Sequence, residues 1–231
     1  ARGKGGSMHL VSPEHGLMCC SAIVSSTIPV ATGHALASQM QGRKYAVIAF
    51  FGEGAVGEGV FFESINFAML KNLPVLYLIE NNGYAIHSKI AERHKQTDLY
   101  KIGEGLGMKG ERYDGMDVFN VYEKTVSALD AIRSGGEPRI LEFTTLRWKE
   151  HVGINDDFKE SYRVPNEQKA VMENDSIAKA AKVLMSKFGV KESEMEQWNK
   201  DILERIKQAV DFAEKSPFPP PSRLLEDVFA D

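Results

Sequence analysis

Two short apolar runs one helix apart constrain this chain most: residues 46–51, AVIAFF, and 74–79, PVLYLI. Each is continuously apolar and rich in β-branched or aromatic residues, the composition of strands buried on both faces. Between them Val60, Phe61, Ile65, Phe67, Ala68 and Leu70 recur at helical spacing. The segment predicts a strand, helix, strand unit, the crossover that parallel strands require. The first strand runs into Gly52-Glu53-Gly54 and the second into Glu80-Asn81-Asn82-Gly83. Ligands of open parallel sheets sit beyond the carboxyl ends of the strands, so both polar turns fall on one functional edge.

Gly52 and Gly54 allow a ligand close to the backbone, and the helix that follows offers free amides and a positive dipole end to a phosphate. Gly52, Gly54 and Gly57 also satisfy the dinucleotide pattern GxGxxG, with Glu80 placed to bind a ribose. Glu53 argues against that reading. It sets a carboxylate in the loop that would hold a pyrophosphate, and like charges at roughly 4 Å repel by several kcal/mol. A divalent cation between them reverses the sign. Mg²⁺ takes one or two carboxylates plus substrate phosphates, with further oxygens completing an octahedron. Asn82 offers an amide oxygen and the following turn offers backbone carbonyls, so the pattern points to a Mg²⁺–diphosphate site. Taken singly, these glycines and asparagines read as ordinary turns.

Gly52-Glu53-Gly54 followed by Asn81-Asn82 resembles the thiamine diphosphate motif GDG…NN. The wider words GEGAVGEG, NNGYAI, DGMDVF and RGKGGSMHL resemble the α subunit of the thiamine-dependent 2-oxo acid dehydrogenases, which include the pyruvate, branched-chain and acetoin enzymes. The match runs from about Gly3 to Tyr162. Glu53 stands where most members carry aspartate. The implied fold is α/β, a thiamine diphosphate-binding fold with a mostly parallel sheet, helices on both faces and a C-terminal helical extension. Residues 1–165 would form the cofactor-binding domain and 166–231 a helical segment packed on it.

The resemblance implies Glu53, Asn82 and Tyr84 as metal ligands. Ala22, Ile23, Val24, Glu53, Gly54, Ala55, Asn82, Tyr84, Arg147 and His151 would contact the cofactor. Ala22, Ile23 and Val24 would lie against its aminopyrimidine ring. Ser21, Ser26 and Thr27 fall where branched-chain relatives hold potassium; the plain alternative is a polar loop capping a helix. His151 falls on the active-site histidine, a residue type that titrates near neutrality and suits proton transfer. Arg147 would order its loop or neutralise the diphosphate. Val152 stands where mitochondrial members carry a phosphorylated serine, which excludes that modification here.

Thiamine chemistry also needs a carboxylate on the aminopyrimidine ring, and nothing in this chain clearly supplies one. In the resembling family it comes from a β subunit. The expectation is an α₂β₂ heterotetramer that decarboxylates a 2-oxo acid and passes the acyl group to lipoyl on an acyltransferase component, the cofactor carrying the hard chemistry. In the family, helices with an aromatic–arginine pair precede the point where this chain begins, so a fragment, a processed product or a short form is expected. Two other readings stand beside this one. One is a repurposed or inactive α-like protein. The other is an NAD-binding Rossmann oxidoreductase, against which Glu53 and Asn82 argue. The substrate stays open: Glu80 is more like pyruvate-type members, whereas the Gly52–Gly54 and 82–86 words are more like branched-chain ones.

Composition agrees with a globular chain and bounds the partners. At 231 residues it can bury a sizeable core. The net charge of −4 and the lack of a basic stripe speak against nucleic acid. No apolar run approaches the roughly 20 residues of a membrane helix. The only two cysteines, Cys19 and Cys20, are adjacent, a poor disulfide and an incomplete zinc site, and they suit a reducing cytoplasm. Further along, a helix is expected near 29–41, a polar loop over 87–98 and a short helix near 99–106. A strand over 107–113, a helix over 118–133 and a strand over 139–146 follow. A polar, mobile loop over 155–167 and a helical tail from 174, broken at 217–221 and closed by 224–229, complete the chain.

Overall fold

The structure, a computed structural model, describes residues 6–226. The start of the RGKGGSMHL word and the last residues of the 224–229 stretch lie outside the described residues. The chain forms two units, one over Ser7–Ala180 and one over Ala181 onward.

The first unit is built on a parallel sheet. Its helices are α1 (Thr27–Met40), α2 (Gly59–Lys71), α3 (Ile90–Arg93), α4 (Tyr100–Gly105), α5 (Val118–Arg133) and α6 (Glu167–Glu173). Its strands are β1 (Val47–Gly52), β2 (Val75–Asn81), β5 (Lys109–Asp114) and β6 (Arg139–Thr144), with a two-residue hairpin of β3 (Tyr84–Ala85) and β4 (Ser88–Lys89). The main sheet runs β1-β2-β6-β5, all parallel. The register pairs Gly52 with Glu80, and Asn81 with Thr144. The Gly-Glu-Gly turn, the Asn-Asn turn and the segment after β6 therefore leave the sheet along one edge.

The inner strand β2 is apolar from Val75 to Ile79 because both of its faces are covered. Tyr77 and Ile79 of β2 pack with Ile28 and Ala35 of α1 and Phe61 and Ile65 of α2. Leu76 and Leu78 point the other way and pack with Leu129 and Ile132 of α5 and Phe143 of β6. Tyr77 brings a polar tip into this core and satisfies it on Thr32 Oγ1, 2.7 Å away. Burial pushes its phenol up to about 12. Asp117 caps α5 by accepting from the Phe119 amide at 3.0 Å, and Gly135, at φ +88°, follows its end.

Three expectations need correction. β1, expected to be buried on both faces, ends the described sheet, and its Phe50 is 55% exposed. β2 continues through Glu80 and Asn81 instead of ending at Ile79, because Asn81 still pairs with β6. The 87–98 stretch, expected as loop, contains β4 and α3. Its polar sequence hides them because the hairpin is two residues a side and α3 a single turn. Helix α7 (Ser176–Phe188) begins in the first unit and continues into the second, where α8 (Glu192–Lys215) follows. The prolines at 217–221 come after α8 has ended. Among the described residues, no helix is long and apolar enough to cross a membrane.

Candidate functional site

The turn after β1 is a short 3₁₀ segment, Glu53–Gly57. Its first residue is a carboxylate with a side chain only 1% exposed. Glu53 Oε2 is ion-paired with Nη2 of Arg93, the last residue of α3. Glu53 Oε1 is equally buried and has no hydrogen-bond partner. Burying a carboxylate is costly unless its charge and lone pairs are met, so this oxygen is an unfilled acceptor. Next to it Gly54 is packed so tightly that a Cβ would lie 2.8 Å from the Cβ of Ala85. Only a residue without a side chain lets the β3–β4 hairpin approach this turn.

The loop carrying Ala22, Ile23 and Val24 is tied to the same turn. Ser25, in the left-handed region at φ 66°, donates from Oγ to the carbonyl of Ala55 at 2.7 Å. Ile23 and Val24 stay exposed, at 67% and 61%. Ser21 Oγ accepts from the Ile23 amide at 3.1 Å, and Ser26 Oγ donates to the Ile23 carbonyl at 2.9 Å. The serines thus lock the turn on itself; Ser26 makes no side-chain cap to α1, which corrects the capping alternative. A cleft of about 540 Å³ opens beside the glycine turn, between Gly54, Gly57, Ala85, Arg93 and His94. Burial and the neighbouring Arg93 charge hold the His94 imidazole below its ordinary pKa, against the pull of Glu53.

At the end of β2 the two asparagines do different work. Asn81 donates from Nδ2 to Glu142 Oε1 at 2.5 Å and accepts from the Gly83 amide at 2.9 Å. Glu142 is fully buried. Its other oxygen accepts from the Tyr100 amide at 3.0 Å, and Arg112 Nε lies 3.7 Å from the first. Asn81 therefore shapes the turn. Asn82 Oδ1 accepts from the Tyr84 amide at 3.0 Å, which leaves that oxygen a second lone pair. Asn82 and Tyr84 line a second cleft, of about 500 Å³, with Lys89, Asn166 and Glu167.

The segment after β6 supplies Arg147 and His151. Arg147 uses both terminal nitrogens on its surroundings, while its Nε is buried without a hydrogen-bond partner. It donates to the Ile86 carbonyl at 2.7 Å, to Asp157 Oδ2 at 2.8 Å and to the Tyr162 hydroxyl at 3.0 Å. Tyr162 also donates to Asp157. Arg163 donates to the Arg147 carbonyl at 2.7 Å and lies 3.3 Å from Glu167. Glu167 in turn accepts from the Tyr84 hydroxyl at 2.9 Å, and both guanidiniums stand over the Tyr84 ring. Arg147 thus ties the segment after β6 to the Ile86 carbonyl and to Asp157 and Tyr162. His151 is exposed. It rides on a tight loop closed by the Glu150 amide donating to the Asn155 carbonyl at 3.1 Å, and by Glu150 Oε1 accepting from the Asn155 side chain at 2.9 Å. Val152 stands at its tip, 82% exposed.

Sequence reasoning missed Arg93, Ser25, Glu142 and the Asp157–Tyr162–Arg163 cluster. Two of these carried a signal. A carboxylate buried between glycines demands a counter-charge, and an acid inside the apolar run RILEFTTL demands donors.

The family model described as Dehydrogenase E1 component matches residues 1–222. Pyruvate dehydrogenase E1 component subunit alpha-3, chloroplastic, from Oryza sativa subsp. japonica is 36% identical, over 100% of this chain and 56% of that protein. The pyruvate dehydrogenase E1 component subunit alpha of Rickettsia bellii (strain RML369-C) is 34% identical, over 99% of this chain and 69% of that protein. The corresponding subunit of Rhizobium meliloti (strain 1021) is 36% identical, over 99% and 65%. The chain thus spans from about half to about two thirds of the length of the relatives it matches. With the parallel α/β sheet and its two polar strand ends, a match covering nearly every residue places this chain in the dehydrogenase E1 component family.

Proposed function

We propose that this chain is the metal–diphosphate half of a thiamine diphosphate-dependent 2-oxo acid dehydrogenase, the α-type partner of a β subunit. The observation that carries it is Glu53 Oε1, a buried acceptor without a donor at a strand end. A cation is the partner it lacks. Glu53, the Asn82 amide oxygen and the Tyr84 carbonyl would hold Mg²⁺, and the Gly54 and Ala55 amides would meet the diphosphate. Ala22, Ile23 and Val24 present apolar surface for a ring. These donors fit the group: hard oxygens for Mg²⁺ and glycines that let phosphates approach.

Thiamine diphosphate, when bound, supplies the nucleophilic carbon that attacks a 2-oxo acid. This chain's own residues bind and orient. Ser25 fixes the loop of Ala22–Val24 against the glycine turn, and Arg147, Asp157 and Tyr162 set the course of the segment carrying His151. His151, exposed on its closed loop, is the residue we assign to proton transfer near the reacting centre and the arriving lipoyl group. The names of the relatives support pyruvate as the first acid to test. An α₂β₂ assembly, a lipoyl acyltransferase partner and a cytoplasmic setting belong to this proposal. So does potassium at Ser21, Ser26 and Thr27, whose hydroxyls keep lone pairs for an ion.

Calorimetry with thiamine diphosphate and Mg²⁺ tests the reading. Mg²⁺ should tighten binding strongly over the weak metal-free level, and that gain should vanish in Glu53→Ala; unchanged affinity in that variant would refute the metal assignment. With pyruvate, the chain by itself should not decarboxylate, while the chain co-expressed with a β subunit should. Robust turnover by the chain without a partner would sink the composite site.

A further inference from the structure

We infer that Arg93 is a positioning residue for the divalent cation. It pins one oxygen of Glu53 so that the other is presented free of any protein donor. The inference rests on the Mg²⁺–diphosphate reading above and adds a residue to it. Both Glu53 oxygens are buried, yet they differ: Oε2 is taken by Arg93, and Oε1 has no hydrogen-bond partner. Buried acceptors are nearly always satisfied. Asp157 Oδ1 also lacks a hydrogen bond but has Arg163 Nε 3.4 Å away, whereas Glu53 Oε1, at a strand end beside the glycine turn, is an orphan that a cation would satisfy. Ligating carboxylates are themselves held by a second group that fixes their orientation, and Arg93 stands in that relation to Glu53.

Arg93 reaches Glu53 from a braced position. The Ile90 amide donates to the Gly83 carbonyl at 3.2 Å, and the Lys89 amide to Glu92 Oε2 at 3.0 Å. The first bond ties α3 to the Asn-Asn turn and the second closes the start of α3 on itself, while Ala85 lies so near Gly54 that an added Cβ there would be 2.8 Å away. The guanidinium thereby links the two strand ends whose side chains the metal would join. A second consequence concerns charge. The pair is neutral, so a Mg²⁺–diphosphate meets a fixed dipole of carboxylate and guanidinium in place of a bare anion.

The test is a calorimetric Mg²⁺ titration of the full chain at saturating thiamine diphosphate, comparing wild type, Arg93→Met and Arg93→Gln. Methionine removes the donor; glutamine keeps an N–H without the charge. Second-group deletions around metal ligands weaken binding by about 10–100-fold. That loss is expected for methionine, with glutamine between it and wild type. Thiamine diphosphate binding without metal should change by less than about twofold. Equal or tighter Mg²⁺ binding by Arg93→Met would overturn the inference, because Arg93 would then be a bystander or a competitor. An equal loss of metal-free binding would also overturn it, since Arg93 would then grip the diphosphate directly. Should circular dichroism show that the methionine variant is unfolded, glutamine decides by the same criteria. A wild-type chain that binds no Mg²⁺ would fail the underlying reading as well, which separates the two failures.

Discussion

Gly54 and Glu142 show how single positions set this site. A methyl at 54 would meet the Ala85 methyl at 2.8 Å, and both groups are fixed to backbone, so neither can swing aside. Gly54→Ala should therefore destabilise the fold by about 1–3 kcal/mol, the usual cost of overpacking, and weaken Mg²⁺ binding as the hairpin backs away. Gly59→Ala, where nothing lies within 4 Å, is the control. Thermal melting of both variants decides. Glu142 gathers the Asn81 amide and the Tyr100 amide onto one buried carboxylate. Glu142→Gln turns one acceptor into a donor facing donors, and about 1–3 kcal/mol should be lost. Urea unfolding measures it; an unchanged midpoint would mean that the Asn81 turn does not depend on this contact.

The loop after β6 depends on its ion pairs more than on apolar burial. Burial alone would raise the Asp157 carboxyl. Hydrogen bonds from Tyr162 and Arg147 and the charges of Arg163 and Arg147 outweigh that and hold it below the ordinary range. A depressed folded pKa means stability that is complete above the unfolded value and lost as pH falls through the folded one. The loop should accordingly keep its protection through neutral pH and lose it only below about pH 4, as read by hydrogen exchange over 147–167. Asp157→Asn should lose that protection at pH 7, and trypsin should then cut faster at Arg147 and Lys149. The same elements show what was legible beforehand. β1 and β2 announce themselves as continuous apolar runs, and α2 and α5 by apolar residues at helical spacing. The charges of 155–167 read as a polar, mobile loop, since nothing local reveals that Asp157 and Arg163 are buried beside Arg147 and Tyr84. Single-turn α3 has no period to read, and with it Arg93 stayed hidden.

Taken whole, the parallel order β1-β2-β6-β5 delivers three separate stretches of chain to one edge. The glycine turn, the Asn-Asn turn and the position of Arg147 were placed there from pattern alone. What joins them was not: Glu53 to Arg93, Tyr84 to Glu167 and Arg147 to the Ile86 carbonyl are pairings across long gaps in the chain. Those pairings have an outcome for kinetics. Three carboxylates, Glu53, Asp157 and Glu167, answer three guanidiniums, Arg93, Arg147 and Arg163. An approaching polyanion meets no surplus field from them, and diffusional capture gains little long-range guidance. Added sodium chloride, which screens such guidance over about 8–10 Å, should barely slow cofactor loading in stopped-flow. A steep fall with ionic strength would locate the attraction elsewhere on the surface.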